Sequence, residues 1–129
     1  MTSTSVSAAE DAGSSFVHGK WQWTRRENRC TETYEFRANG SVTIQSGAER
    51  TDATYELDVR PDTVGFYKLK MKVLKDHGGR DCADSDTDDT GTENTNYLLF
   101  EPGRTMMIIC AVPRLERCFG PLKRVGSDA

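Results

Sequence analysis

Short runs of alternating hydrophobic and polar residues follow one another along the chain from Phe16 onward, separated by Gly, Pro, Asn and Asp. Alternation with a period of two predicts β-strands, and the intervening residues predict tight connections. The runs occupy residues 21–25, 31–37, 41–45, 53–59, 66–74, 97–100 and 105–112. No apolar stripe with the helical period of about 3.6 residues is sustained, and a single helical turn at residues 114–118 is the only helix expected. The pattern therefore predicts an all-β meander of seven or eight antiparallel strands.

One connection and two of these runs carry more specific information. Asn39-Gly40 separates two runs, and this dipeptide is typical of a type I′ turn, so the second and third strands should pair directly. Residues 66–74 alternate lysines with apolar residues, which predicts a half-buried strand with a basic outer face. The unbroken apolar run at 106–109 favours a central strand that is buried on both faces.

A meander of this kind forms either a closed barrel or a two-sheet sandwich, because both remove or cover exposed strand edges. The up-and-down order favours a single small barrel. We expect residues 16–125 to form it, residues 1–15 to be a flexible leader rich in Ser, Thr and Ala, and residues 126–129 to be a disordered tail. The expected barrel core includes Trp21, Trp23, Tyr34, Phe36, Tyr55 and Leu57.

Charge and hydropathy exclude two classes of partner. The net charge is −3, and the 17 Lys and Arg residues are scattered along the chain, which gives no general attraction to nucleic acid. No apolar stretch approaches the roughly 18 to 20 residues that a helix needs to cross a bilayer. We expect neither a nucleic-acid partner nor a membrane span.

The four cysteines, Cys30, Cys82, Cys110 and Cys118, lack the close spacing of zinc ligands and are better interpreted as two disulfides. In an up-and-down barrel all four fall at the same end. Four cysteines allow three pairings, and the sequence alone does not choose among them. We expect Cys30 to pair with Cys118, joining the two ends of the barrel, and Cys82 to pair with Cys110.

Structural disulfides persist in the periplasm or outside the cell. The chain begins Met1-Thr2-Ser3 without the basic and apolar regions of a signal peptide. We therefore expect a periplasmic or secreted protein whose signal peptide has been removed, and a lipid anchor on its precursor is left open. The alternative is a cytosolic protein with four free thiols.

The tripeptide Gly19-Lys20-Trp21 opens the first strand, and a Gly-x-Trp at this place resembles the first structural motif of the lipocalin and wider calycin group. The resemblance implies a barrel in which the Trp plugs one end. It also implies a basic residue near the end of the last strand, Lys123 or Arg124, that packs across this Trp. The chain is shorter than a typical lipocalin and lacks the long final helix. It is also similar to small periplasmic inhibitors of proteases and lysozymes, and to uncharacterised exported or lipid-anchored bacterial proteins.

The segment from Asp76 to Asn96 is long and acidic, and loops of this length in a compact domain are either functional or mobile. Asp84, Asp86 and Asp88 match the first, third and fifth positions of a calcium loop. The match fails at the sixth position, which is Asp89 rather than Gly, and at the twelfth, which is Thr95 rather than Glu. A solvated acidic loop is the favoured interpretation, and calcium binding is the weaker alternative.

A group of arginines is expected at the same end of the barrel as the acidic loop. Arg25, Arg26 and Arg29 lie at and just beyond the end of the first predicted strand, and with Asp84, Asp86 and Asp88 they form a candidate recognition rim. The alternative interpretation is that these are ordinary charged surface loops whose ion pairs are weak.

Catalytic motifs are absent from the sequence. The two histidines, His18 and His77, fall in no nucleophile or metal motif, and no glycine-rich phosphate loop follows a strand. We expect a monomeric, non-enzymatic binding domain without a cofactor. Its partner would be an unknown protein bound at the rim or, less favoured, a small apolar ligand held inside the barrel. The alternatives are a periplasmic inhibitor of a protease or lysozyme, and a structural protein and antigen of the cell envelope or surface.

Overall fold

The computed structural model describes residues 16–126, which form a closed antiparallel β-barrel. Its strands are β1 (Gly19–Thr24), β2 (Thr31–Phe36), β3 (Ser41–Ser46), β4 (Glu49–Leu57), β5 (Tyr67–Asp76), β6 (Glu93–Phe100), β7 (Met106–Cys110) and β8 (Cys118–Arg124). Each strand pairs with the next in chain order, and β8 returns to β1. The predicted all-β meander barrel is therefore confirmed, with eight strands. The predicted leader, residues 1–15, lies outside the described residues, as do residues 127–129 of the predicted tail.

The hairpin between β2 and β3 pairs as predicted, but its turn differs. Tyr34 lies opposite Ile44, and the Arg37 amide donates to the Ser41 carbonyl at 2.9 Å. Only Gly40 of the Asn39-Gly40 pair has a positive φ, 88°, and its amide donates to the Arg37 carbonyl. The turn is therefore a three-residue connection that ends in a left-handed glycine, instead of the expected type I′ turn.

The last strand, β8, was not among the runs identified from the sequence. Gly120 and Pro121 interrupt its alternation, and its pairing with β7 is irregular between Met107 and Ile109. The expected helical turn at residues 114–118 is wrong, because residues 111–117 form a bent loop that leads directly into β8. Within residues 16–126 no helix has the length and apolar character required to span a lipid bilayer.

The barrel core is built from the inward-facing residues of the strands. The most deeply buried large side chains are Trp21, Phe36, Leu69, Leu98, Met107, Ile109 and Leu122. On β5 the alternation is as predicted, since Leu69, Met71 and Val73 are buried and Lys70 and Lys72 are exposed.

The expectation that residues 106–109 are buried on both faces is wrong. Met107 and Ile109 are buried, whereas Met106 and Ile108 are only half-buried. A single-layer barrel has one interior, so the side chains that alternate with the buried ones lie on its outer face.

Trp21 closes the end of the barrel at which the described chain begins. Its Nε1 donates to the Val17 carbonyl at 2.8 Å, and the Arg124 guanidinium carbon lies 4.3 Å from the centroid of its ring. Arg124 also donates to the carbonyl oxygens of His18, at 2.7 Å, and Phe16. This is the arrangement that the lipocalin resemblance implies, with Arg124 rather than Lys123 across the ring, so the fold is compatible with a lipocalin-like barrel.

Candidate functional site

The opposite end of the barrel carries both disulfides and the loops that follow β1, β3, β5 and β7. We call it the disulfide-bearing end. The bonds join Cys30 to Cys82 and Cys110 to Cys118, and the described residues contain no free cysteine. The expected pairing of Cys30 with Cys118 and Cys82 with Cys110 is wrong. Cys110 and Cys118 lie opposite each other on neighbouring antiparallel strands, with their Cα atoms 3.9 Å apart. The sequence pattern did not predict β8, so it could not show that Cys110 and Cys118 lie on neighbouring strands.

The acidic loop, residues 77–92, is attached to the rest of this end at several points. Besides its disulfide, Cys82 accepts a hydrogen bond from Asn28 Nδ2 through its carbonyl and donates through its amide to Ser46 Oγ, both at 3.0 Å. The Ala48 amide donates to the Arg80 carbonyl at 2.9 Å. These contacts tie the loop to the connections that follow β1 and β3.

Next to the Cys30–Cys82 bond, Ser46, Glu32 and Trp23 form a chain of hydrogen-bonded side chains. The Glu32 carboxylate accepts from Trp23 Nε1 at 3.0 Å and from the Ser46 hydroxyl at 2.9 Å. Burial raises the pKa of Tyr34, and the neighbouring Glu32 charge adds to this shift. The Arg25 guanidinium lies 5.9 Å from the Trp23 ring centroid, and its Nε is buried without a hydrogen-bond partner among the described residues.

A cleft runs along the seam between β1 and β8, from this end toward the Trp21 end, because these strands pair only at Trp21–Arg124 and Gln22–Lys123. Its volume is about 990 Å³. We call it the β1–β8 cleft, and its lining residues are Gln22, Trp23, Thr24, Arg25, Arg26, Glu27, Cys118, Phe119, Gly120, Pro121, Lys123, Arg124, Val125 and Gly126. The rings of Trp23 and Phe119, tilted by 32° with centroids 5.3 Å apart, supply an apolar part. The basic side chains outnumber the single acidic one, so the cleft carries a net positive charge.

The residues of the predicted recognition rim all lie on loops of the disulfide-bearing end. Arg26 and Arg29 are exposed, whereas Arg25 is half-buried and lines the cleft with Arg26. The acidic members Asp84, Asp86 and Asp88 are exposed on the acidic loop. No ion pair joins the basic members to the acidic ones in the described part of the chain. The role of the rim in recognition stays a prediction.

The three aspartates of the predicted calcium loop are not brought together. Asp84 Oδ1 pairs with Arg80 Nη1 at 3.1 Å, and Asp88 Oδ1 accepts from the Thr90 amide at 3.0 Å. Within residues 16–126, the carboxylates that converge closely enough for one ion are Glu49, Asp76 and Asp89.

This buried carboxylate cluster, Glu49, Asp76 and Asp89, was missed by sequence reasoning. Glu49 and Asp76 are only 7% and 6% exposed. Asp76 accepts from the Gly78 amide at 2.9 Å and from the Asp89 amide at 3.0 Å. Glu49 begins β4 and Asp76 ends β5, so their proximity follows from the pairing of Thr51 with Asp76. No spacing in the sequence signals it.

The cluster perturbs the acidities of its members. Burial and the hydrogen bond with Asp76 raise the pKa of Glu49 to about 8. The Asp89 amide and the Glu49 side chain, by their hydrogen bonds, lower the pKa of Asp76. Burial and the charge of Asp76 raise the pKa of Asp89. At neutral pH Glu49 therefore holds a proton and Asp76 is ionised.

Comparison of the chain with protein-family models, curated proteins and solved structures gives no match. The resemblance to lipocalins therefore rests on the barrel architecture and on the Gly19-Lys20-Trp21 motif. The two disulfides are consistent with an extracellular or periplasmic location, where such bonds persist.

Proposed function

We propose that the protein is a non-enzymatic, exported binding domain that recognises a protein partner at the disulfide-bearing end of its barrel. The observation that carries this proposal is the β1–β8 cleft, which is basic, partly aromatic and bordered by strand edges. Beyond Gln22 the side of β1 that faces β8 has no strand partner. Extended peptides bind to such edges through main-chain hydrogen bonds, and side-chain pockets supply selectivity.

The charge of the cleft favours an acidic segment as the bound part of the partner. Arg25, Arg26 and Lys123 line it, and Glu27 is the acidic residue among its lining side chains. The guanidinium of Arg25 lines the cleft beside the Trp23 ring, and arginine forms strong paired hydrogen bonds with carboxylates. Electrostatic complementarity of this kind speeds association and selects against basic partners.

The placement of the histidines supports a non-enzymatic role. His77 Nε2 lies 2.8 Å from Asp52 Oδ2, and the site is solvent-exposed. His18 lies at the other end of the barrel, where its carbonyl binds Arg124. Neither imidazole is within the residues that line the β1–β8 cleft.

The proposal is tested with an acidic peptide of alternating Glu and Val, titrated into isotope-labelled protein and followed by amide resonances. We expect shifts confined to residues 22–27 and 118–126. The double variant R26E/K123E should weaken binding at least about tenfold, since two attractive charges become repulsive. The control K70E/K72E makes the same charge change on the outer face of β5 and should bind as the wild type does. Shifts spread evenly over both surfaces, or none at millimolar peptide, would refute the proposal.

A second candidate function, inhibition of an extracytoplasmic protease or lysozyme, is favoured by the loop between β7 and β8. The Cys110–Cys118 bond closes this loop, and Leu115 on it is 72% exposed between Arg114 and Arg117. A rigid loop with a projecting apolar side chain suits insertion into an active-site groove.

A panel of secreted proteases and lysozymes, assayed at micromolar protein, tests this candidate. Any inhibition should be lost in L115A and retained in V64A, which truncates a similarly exposed apolar side chain at the other end of the barrel. Equal inhibition by both variants would exclude the loop as the inhibitory element.

A further inference from the structure

We propose that an apolar groove on the outer face of β6 and β7 receives an apolar side chain of the protein partner, beside the acidic segment that binds in the β1–β8 cleft. This inference rests on the proposed function and extends the surface that the partner covers. Leu99, Met106, Ile108 and Pro121 line the groove, and its volume is about 210 Å³. We call it the β6–β7 groove.

The outer face of β6 and β7 differs in chemistry from the outer face of the preceding strands. The residues that alternate with the buried ones here include Leu99, Met106 and Ile108, and all three are half-buried. Leu99 lies opposite Ile108, so the apolar side chains are contiguous. On β2, β3 and β4 every residue that alternates with the buried ones is polar or charged. Contiguous apolar groups with a polar border are typical of protein interaction sites.

The β6–β7 groove adjoins the β1–β8 cleft. Pro121 of β8 lines both depressions. Met106, in the groove, lies opposite Lys123, which lines the cleft. The strand β8 separates the two, and neighbouring strands are about 4.8 Å apart. An extended segment bound in the cleft therefore reaches the groove with about two or three further residues.

The charges around the groove indicate the kind of partner. Lys68 of β5 lies opposite Tyr97 on one side of the groove, and Lys123 lies on the other side. Neither lysine forms an ion pair with an acid of residues 16–126. The Glu101 carboxylate at the groove accepts from the Thr105 amide at 2.7 Å and from its hydroxyl at 2.9 Å. An apolar side chain flanked by acidic residues therefore complements the groove.

Charge and shape disfavour two other occupants of the groove. A two-fold contact between copies of this chain would place Lys68 and Lys123 of both copies around one apolar centre, and like charges across an interface oppose association. A lipid surface is broad and flat, whereas a groove of this size suits one projecting side chain. The partner that fits best is a protein segment with an apolar anchor residue.

The groove is formed before any partner binds. A Cβ at Gly65 would lie 3.1 Å from Leu99 Cδ1, so the loop before β5 packs against Leu99 and limits its movement. The flexible side chain of Met106 adapts to the shape of the incoming group. Burial of one leucine side chain in the groove should therefore tighten binding about tenfold.

The test extends the peptide of alternating Glu and Val. Two peptides carry Leu-Glu beyond a spacer of two glycines, one at each end, and matched controls carry Ser-Glu instead. We expect one leucine peptide to bind about tenfold more tightly than its serine control in calorimetry, with new amide shifts at Leu99, Met106 and Ile108. Equal affinities at both ends, without these shifts, would overturn the proposal while binding in the cleft stands.

Variants assign the added affinity to the groove. L99A should reduce the gain from leucine to less than about twofold, whereas L74A truncates an outward-facing leucine elsewhere and should retain the gain. K68E should weaken binding of the leucine peptide, and K72E, the same change farther along β5, should not. If L99A does not fold, I108T serves instead, because threonine keeps the β-branched shape. A gain that survives both L99A and I108T would overturn the proposal.

A short peptide separates this proposal from the proposed function. Acetyl-Glu-Leu-Glu-amide contains the anchor and its acidic flanks without the part that fills the cleft. At millimolar concentration it should shift the amides of Leu99, Met106 and Ile108, even if the longer peptide does not bind in the cleft. The absence of these shifts would overturn the proposal.

Two measurements on the protein alone address the other occupants. Dilution of the free protein tests for a second copy, and co-sedimentation with phosphatidylglycerol vesicles tests for an anionic lipid surface. We expect the groove amides to be independent of protein concentration, and no vesicle binding that L99A removes. Concentration-dependent shifts at the groove, or vesicle binding that is lost in L99A, would assign the groove to that occupant and overturn the proposal.

Discussion

Removal of the Cys30–Cys82 disulfide should destabilise the barrel more than removal of the Cys110–Cys118 disulfide. The first bond spans a sequence separation of 52 residues and the second a separation of 8. In the chain-entropy treatment, loops of these lengths restrict the unfolded chain by about 4 and about 2.6 kcal/mol at 25 °C. The two bonds should therefore differ by about 1.5 kcal/mol.

Contacts in the folded protein also suggest that the Cys30–Cys82 bond contributes more to stability than the Cys110–Cys118 bond. Cys82 is buried and fixes the acidic loop to Ser46 and Asn28, whereas Cys110 and Cys118 lie on strands that pair through further residues. Loss of the first bond leaves the acidic loop held to the barrel by hydrogen bonds alone. Loss of the second leaves the strand pairing in place.

The measurement is urea denaturation of C30A/C82A and C110A/C118A, with the slope m fitted for each variant. We expect losses in the free energy of unfolding of about 4 and about 2.6 kcal/mol, with a larger m than that of the wild type because the unfolded chain expands. Equal losses, or a larger loss in C110A/C118A, would refute the reasoning. Thiol alkylation supplies a control, since C30A/C82A should contain no free thiol and C30A/C118A should contain two.

Three further predictions concern the loop, the core and the pH dependence of stability. G79A should destabilise the protein by at least about 1 kcal/mol more than G91A in urea denaturation, because both glycines have positive φ but only a Cβ at Gly79 would meet the Ala48 carbonyl, at 2.4 Å. L69A should lower the free energy of unfolding by about 2 to 5 kcal/mol, because Leu69 is fully buried. L74A, on the exposed face of β5, should change it by less than about 0.5 kcal/mol. Similar losses in the two variants would contradict the assignment of Leu69 to the inside of the barrel. The raised pKa of Glu49 means that the folded state binds the extra proton, so the free energy of unfolding should fall as pH rises from about 4.5 to about 8. E49Q should flatten this decline in thermal unfolding measured across the range, and an unchanged slope would show that other groups cause it.

The alternation of apolar residues was sufficient to predict most of the barrel. From Leu69 to Val73 of β5 every second residue is buried, so the sequence shows both the strand and the face that points inward. On β8 the pattern is broken by Gly120 and Pro121, and the strand is defined by its neighbours β7 and β1 instead. The local pattern of apolar residues predicts a strand when one face of that strand is uniformly apolar. It fails for a strand that is defined only by its hydrogen-bonded pairing with neighbouring strands.

The same limit explains why the candidate sites were only partly predicted. Arg25, Arg26 and the acidic loop follow strand ends, so the up-and-down order alone assigns them to one end of the barrel. The carboxylate cluster needs the register of β4 against β5, and a shift of one residue would turn Glu49 to the other face. The sequence indicated which end carries charge, while the contacts between particular acids required the folded chain.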